Sequence, residues 1–271
     1  MLSVIPVSAF VDNYIWLLRD AAGHCVIVDP GEAAPVIAAV EQYGLQPRAI
    51  LITHHHADHI GGIAELVQKW PLPVYGPAAE NIRGVTEPLA EGAVVNLSEP
   101  AVRFDVMAVP GHTLGHIAYY VDQPTPLLFC GDTLFSAGCG RLFEGTPAQM
   151  LGSLDRLAAL PSQTLVYCTH EYTAANLAFA LSILPQDPAL IARQQQVAAL
   201  RAAQQPSLPS TLAEELRSNL FLRCAEPALQ VALAGDLASD PASTDSQSGS
   251  AAEPIDRLSV FTALRTRKDH F

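Results

Sequence analysis

Thr53-His54-His55-His56-Ala57-Asp58-His59 is the stretch on which the reading of this chain turns. It follows the apolar run 49–52 directly and precedes a helical pattern over 60–70. A loop leaving the end of a buried strand aims several side chains at one place. The side-chain period of an extended segment is two, so His54 and His56 face one side and His55 points away. Asp58 and His59, at the turn into the helix, face a second point nearby. Two imidazoles for one ion, and a carboxylate with an imidazole for another, are the donors of a two-metal site. Gly61-Gly62 lets backbone pass close to the turn.

Working outward, three further motifs end strand-like runs. Val109-Pro110-Gly111-His112-Thr113 ends the run 102–109. Phe129-Cys130-Gly131-Asp132-Thr133 ends 127–130, and Cys168-Thr169-His170 ends 164–168. The candidate ligands are therefore His54, His56, Asp58, His59, His112, Asp132 and His170. They are too many for one zinc ion, which takes about four including water, and they suit two ions that share a carboxylate. Asp132 is the expected bridge. His54, His56 and His112 would hold one ion, and Asp58, His59 and His170 the other. A His/Asp set without cysteine accepts zinc, iron or manganese, with zinc the first choice.

The runs 14–18, 25–28 and 117–121 also read as strands, and 35–43 as a helix. Thr146-Pro147-Ala148-Gln149 opens another helix, with Pro at its first position and Gln at its third. The pattern up to Cys168 predicts sheets covered by helices. Beyond His170 the texture is helical, over 173–184 and 188–203, with a capping box at Thr211-Leu212-Ala213-Glu214. The chain thus divides into a catalytic domain, 1–170, and a mainly helical substrate-binding domain, 171–271. Residues 235–254 are rich in Ala, Ser, Asp and Pro and carry no apolar period, which predicts an exposed insert. Surface loops cost little in closure entropy, about 0.6 kcal/mol per doubling of length. Exchanging the insert for a short Gly/Ser link is expected to leave melting temperature and turnover unchanged; a large fall in either would show that it packs or binds. The last segment regains apolar spacing at Ile255, Leu258, Val260, Phe261 and Leu264, then turns basic at Arg265, Arg267 and Lys268.

Composition narrows the function. With 49% hydrophobic and 15% charged residues in 271, general disorder is excluded. A formal net charge of −12 makes bulk binding to nucleic acid or anionic membrane unfavourable. An anionic small molecule would need locally placed Arg or Lys. No apolar run approaches the ~18 residues of a membrane helix, and the first residues do not read as a signal peptide. Five scattered cysteines without a Cys-x-x-Cys pair suit reduced cytosolic thiols better than a disulfide frame, and a monomer is expected. Cys168 reads as core, and His116 as a structural residue.

His-x-His-x-Asp-His followed by distant His, Asp and His resembles the metallo-β-lactamase superfamily. That resemblance implies a four-layer αβ/βα sandwich with the metals at one edge. Within the superfamily the chain is most similar to glyoxalase II, the hydroxyacylglutathione hydrolases. The similarity rests on Gly131-Asp132-Thr133-Leu134-Phe135, the stretch Gly138-Cys139-Gly140-Arg141-Leu142-Phe143-Glu144-Gly145, and His170-Glu171-Tyr172-Thr173 with Asn176. Asn219-Leu220-Phe221-Leu222-Arg223 and Arg265-Thr266-Arg267-Lys268-Asp269 complete it. It implies hydrolysis of S-D-lactoylglutathione to glutathione and D-lactate, the second step of methylglyoxal detoxification. It also implies that Arg141, Tyr172, Arg265 and Lys268 contact the glutathione moiety. Phe143 stands where other members carry Tyr and keeps the ring without the hydroxyl. Leu220 stands where many have Pro.

A thioester carbonyl needs a nucleophile and a place for developing negative charge. Two cations supply both, since a shared water falls in pKa from about 15.7 toward roughly 7 and becomes hydroxide. Asp58 and Asp132 would act through that hydroxide, with Asp58 orienting it. The competing readings are a lactonase or β-lactamase of the same superfamily, a mononuclear-iron persulfide dioxygenase, and a non-catalytic scaffold. The first two do not call for the full combination of seven ligands with Arg265 and Lys268.

Overall fold

The strand Asn13–Arg19 is buried along almost its whole length, and its two faces divide the molecule. Ile15 and Leu17 point to one apolar cluster, and Tyr14, Trp16 and Leu18 to another. A strand covered on both faces reads as a continuous apolar run rather than an alternating one. The computed structural model describes residues 2–237 and 256–271.

The first sheet contains β1 (Ser3–Ala9), β2 (Asn13–Arg19), β3 (His24–Val28), β4 (Gln46–Leu51), β5 (Val74–Pro77) and β6 (Glu87–Leu89), in that spatial order. Its outer face packs on α1 (Ala33–Tyr43) and on α3 (Ile63–Lys69), which follows the one-turn α2 (Ala57–Ile60). Val36, Val40, Ile63 and Leu66 meet Ile15, Leu17, Ile27 and Ile50 there. The inner face meets the second sheet. That sheet is built from β7 (Val94–Ser98), β8 (Ala101–Ala108), β9 (Ile117–Val121), β10 (Leu127–Gly131), β13 (Leu165–Cys168) and β14 (Ser210–Thr211). A short hairpin, β11 (Leu134–Phe135) and β12 (Gly138–Cys139), stands apart from it.

Helix α4 (Pro147–Ala158) has the expected capping box at Thr146 and Gln149, and its Met150, Leu154 and Leu157 join the inter-sheet cluster. The remainder is helical: α5 (Thr173–Ile183), α6 (Pro188–Ala202), α7 (Leu212–Ser218), a 3-10 turn at Leu220–Leu222, α8 (Pro227–Ala232), α9 (Ala234–Leu237) and α10 (Arg257–Asp269). The order helix, sheet, sheet, helix is the expected αβ/βα sandwich with a helical extension.

Several expectations need correction. The single helix over 60–70 is two helices, because the Gly62 N–H donates to the Pro30 carbonyl at 2.8 Å and so leaves the helix. β1 was not expected: Pro6 and alternating polar residues weaken its pattern, and as an edge strand it tolerates a missing N–H donor. β5, β6 and β7 are short and interrupted by Pro or Asn, which hides their period. The insert does not begin at 235, since Ala234–Leu237 is helical and Asp236 accepts from Arg267 at 3.2 Å. The rest of it, and Ile255, lie outside the described residues. Among those described, no helix is long and apolar enough to cross a membrane.

Topology gathers the candidate ligands. β8 and β10 are each antiparallel to β9, so they run the same way, and β13 is parallel to β10. Their C-terminal ends therefore meet at one edge of the second sheet. Two bonds bring the end of β4 to the same edge, Ile117 N–H to Thr53 O at 3.0 Å and Tyr119 O–H to Ile52 O at 2.8 Å.

Candidate metal centre

The Asp29 carboxylate fixes the ligand loop. It accepts from the Thr53 N–H and from the Thr53 hydroxyl, both at 2.8 Å. His54 Nδ1 lies 3.1 Å from that hydroxyl, which leaves Nε2 free to face the centre. His54 Nε2 and His56 Nδ1 are 3.1 Å apart, and His112 Nε2 is 2.9 Å from the same His56 nitrogen. His112 Nδ1 donates to the Arg141 carbonyl at 2.8 Å. The second group lies beside this one. His59 Nε2 and His170 Nε2 are 3.6 and 3.5 Å from Asp58 Oδ2. Asp132 stands between the groups: its Oδ2 is 3.5 Å from His112 Nε2 and 3.3 Å from His170 Nε2, while Oδ1 is 3.4 Å from His59 Nε2.

The donor set fits two cations. His54, His56 and His112 offer ligand atoms within 4.8 Å of one another, as do His54, His59 and Asp132, and Asp58, His59 and His170. His59 Nε2 and Asp132 Oδ1 are buried and make no hydrogen bond among the described residues. An unsatisfied buried polar group costs about 1–3 kcal/mol, and a cation at their common focus removes that penalty.

Charge separates the halves. Burial, reinforced by His59, holds His54 well below the usual imidazole range, and burial lowers His56 and His112 too. Burial alone would also lower His59 and His170, but carboxylates outweigh it. Asp132 and Asp29 raise His59 to about 10, and Asp132, with Asp58 and Asp12, raises His170 to about 12. Burial would raise Asp58 and Asp132, yet His170 and His59 hold both below the carboxylate range. The first group is thus three neutral imidazoles, and the second draws positive charge. Ligands must shed protons to bind metal, so uptake there displaces them.

His55 does point away. Its Nδ1 is 3.0 Å from Glu80 and its Nε2 3.3 Å from Glu144, so it ties the ligand loop to two neighbouring loops. His116 does more than fill space: its Nε2 accepts the Asp132 N–H at 3.1 Å and its ring stacks on His54 at 4.6 Å. Cys168 is fully buried, and burial pushes its thiol up, away from reactivity. The sequence reading missed Asp29, although Val28-Asp29-Pro30-Gly31 follows a strand just as the other motifs do. It also missed Asp12 and Asn13, which sit in a turn with no such signal.

Around the centre, Phe143 sets its ring edge-on to His56 and His112 at 5.4 and 5.3 Å, and Tyr172 stacks on His170 at 4.6 Å. Phe143 is 61% exposed, so the face it presents to solvent is apolar. Arg141 is exposed and donates to Asp269 Oδ1 at 3.1 Å. Lys268 lies over the rings of Phe179 and Phe271. Arg265 is 7% exposed and donates to the Cys139 carbonyl at 2.9 Å and to Asp269 at 2.9 Å. The helical part grips the β11–β12 hairpin through Asn176 to Ser136 O at 3.0 Å, Asn219 to Gly138 O at 2.8 Å, and the Ala137 N–H to Glu215 at 2.8 Å.

Gly140 is needed where that hairpin returns to the centre. A Cβ there would lie 1.9 Å from the Asp132 carbonyl oxygen and 3.2 Å from His112 Nδ1. Forcing atoms into a packed site costs about 1–3 kcal/mol. Gly140→Ala is therefore expected to lower both the urea midpoint and the bound metal. Unchanged values would mean that the Asp132 backbone yields freely.

Comparison with known proteins agrees with this architecture. Residues 9–170 match the model of the metallo-beta-lactamase superfamily, and residues 171–271 match that of the hydroxyacylglutathione hydrolase C-terminus. The chain is 52% identical to a hydroxyacylglutathione hydrolase of Cupriavidus taiwanensis and 52% identical to one of Dechloromonas aromatica, with 100% of each chain covered. Among solved structures, the BLEG-1 B3 metallo-beta-lactamase aligns with TM-score 0.60 at 23% identity, over 82% of this chain and 99% of that one, which shows a shared fold. TTHA1623 in a di-iron-bound form aligns with TM-score 0.57 at 29% identity, over 80% of this chain and 100% of that one. Matched along its whole length, with both units present, the chain belongs to the hydroxyacylglutathione hydrolase family of the metallo-beta-lactamase superfamily.

Proposed function

We propose that the chain hydrolyses S-(2-hydroxyacyl)glutathione thioesters, S-D-lactoylglutathione foremost, to glutathione and the 2-hydroxy acid, as the second step of methylglyoxal detoxification. One observation carries the reading: Arg141 joins the metal centre to the basic end of α10. Its carbonyl holds His112, and its side chain meets Asp269 beside Arg265. Two guanidinium groups on one carboxylate leave net positive charge for a peptide carboxylate on an otherwise acidic protein.

His54, His56 and His112 would hold one divalent ion and Asp58, His59 and His170 the other, with Asp132 shared. Zinc is the first choice, and iron and manganese suit the same donors. When bound, the pair supplies a water activated near neutral pH and positive charge against the carbonyl oxygen. Asp58, with Oδ2 facing the second group, would orient that water. Phe143 and Tyr172 would flank the acyl-sulfur region, while Lys268 and Arg141 take the glutathione carboxylates. A cytoplasmic location accords with free, buried cysteines, and the chain would act as a monomer.

The test is release of glutathione from S-D-lactoylglutathione, with metal per chain measured on the same sample. Hydrolysis by a two-ion protein supports the proposal, and a two-ion protein that leaves the thioester intact overturns it. Losing one charge-assisted contact costs about 1.5–3 kcal/mol, roughly ten- to a hundredfold in kcat/KM. Lys268→Ala is expected to show that loss in KM, with little effect on a thioester lacking the peptide carboxylates. Equal losses on both substrates would remove Lys268 from recognition.

A further inference from the structure

We infer that the turn between β1 and β2 is a clasp for the second half of the centre, in which Asp12 and Asn13 position His170 and Asp58 and thereby set the affinity of one ion but not the other. This rests on the two-ion reading above. Asp12 Oδ1 lies 2.8 Å from His170 Nδ1. A proton held there on Nδ1 leaves the Nε2 lone pair free to face the centre, and a carboxylate partner makes the imidazole a more basic ligand. Asn13 Nδ2 donates to Asp58 Oδ2 at 2.9 Å. That oxygen is the one facing His59 and His170. A carboxylate oxygen has two lone pairs, so Asn13 occupies one and directs the other inward.

The turn is itself held in place. The Tyr14 N–H donates to Thr169 O at 2.7 Å and the Glu171 N–H to Asp12 O at 2.9 Å, so backbone bonds bracket His170 on both sides. Asn13 and His170 form an isolated bridge, and the Phe10 N–H donates to Glu32 at 2.8 Å. Asn13 is 5% exposed, so its amide is not competing with bulk water. The other half is supported from elsewhere: His54 by the Thr53 hydroxyl and His112 by the Arg141 carbonyl. Both of those partners are neutral. Asp29 touches both halves, through the Thr53 hydroxyl and at 3.1 Å from His59 Nδ1, but the turn itself reaches only His170 and Asp58, so loosening the turn should be felt by one ion.

The experiment is a competition titration of zinc against a chromophoric chelator, run on the full chain with Asp12→Ala, Asp12→Asn and Asn13→Ala, alongside thermal melts. Losing an outer contact to a metal-binding imidazole typically weakens binding about 10–100-fold. In Asp12→Ala the first ion should keep its parental affinity and the second should weaken by that factor. Asn13→Ala should move the same ion by less. Asp12→Asn keeps an acceptor oxygen for His170 Nδ1 and should recover most of the loss. Equal weakening of both ions, an unmoved second ion in Asp12→Ala, or an Asp12→Asn as weak as Asp12→Ala would overturn the clasp alone. A parental protein that binds only one ion would remove the two-ion reading and the clasp with it.

Discussion

Asp132→Ala is expected to lower turnover by about a thousandfold or more and to lower bound metal in the same preparation. The size follows from what the side chain serves. Its Oδ2 faces His112 on one side and His170 on the other, and its Oδ1 faces His59. Truncation removes the carboxylate placed between the two groups, and with it one of the two carboxylate charges, beside Asp58, that face the cluster. Metal-derived charge stabilisation is worth several kcal/mol; about 4 kcal/mol corresponds to roughly a thousandfold in rate. The loss should stay local. The Asp132 N–H is held by His116 and the Gly140 N–H by the Thr133 carbonyl, so the backbone of this loop is fixed without the carboxylate. A near-parental melt of the metal-free form, with metal and kcat both depressed, is the expected pattern. An Asp132→Ala protein that keeps two ions and near-normal turnover would remove Asp132 from the bridging position.

The residues that gather at the candidate centre were legible because most follow the end of a strand, with Asp58 and His59 in the one-turn helix just beyond. A motif such as Cys168-Thr169-His170 announces itself by the apolar run before it, and strands that run the same way deliver their ends to one edge. Pairing within the set was legible for the same reason, as His54 and His56 are two apart in extended chain. The outer contacts were not. Asp12 and Asn13 reach His170 and Asp58 across more than a hundred residues or several tens of them, and nothing local in Val11-Asp12-Asn13-Tyr14 distinguishes a clasp from an ordinary turn. Edge strands were obscured in a similar way. β1 is half-exposed and contains Pro6, so its period of two is broken by the very residues that an edge position permits. The split of the helix after His59 depends on Gly62 meeting Pro30, a contact set by the fold and not by either segment's own pattern.

Arg265 makes contacts that its place in the sequence does not announce. The sequence puts it one helical turn from Lys268, which suggests two equivalent anion readers, and α10 does extend through both. Burial separates them. Arg265 Nη1 donates to the Cys139 carbonyl, Nη2 to Asp269, and its guanidinium lies over the Phe221 ring at 5.3 Å. It thus pins the terminal helix to the β11–β12 hairpin, the element that leads into Arg141 and Phe143. Removing it strands a buried carbonyl, at about 1–3 kcal/mol, and weakens a partly exposed ion pair worth up to about 1 kcal/mol. Arg265→Ala is therefore expected to lose about 1–4 kcal/mol of stability. At ~2–4 °C per kcal/mol for a chain of this size, that is a fall of several °C in Tm, up to roughly 16 °C. KM should rise as well, because the hairpin and Asp269 shift together. Arg265→Lys should not restore the Tm, since a single ammonium cannot reproduce a fork that reaches two acceptors. Lys268→Ala, by contrast, should raise KM with little change in Tm, because among the described residues its Nζ makes a 3.5 Å contact with the Ala175 carbonyl and two ring contacts. An Arg265→Ala protein with parental Tm and a raised KM would return Arg265 to the role of a simple anion reader; a lowered Tm with unmoved KM would make it an anchor alone.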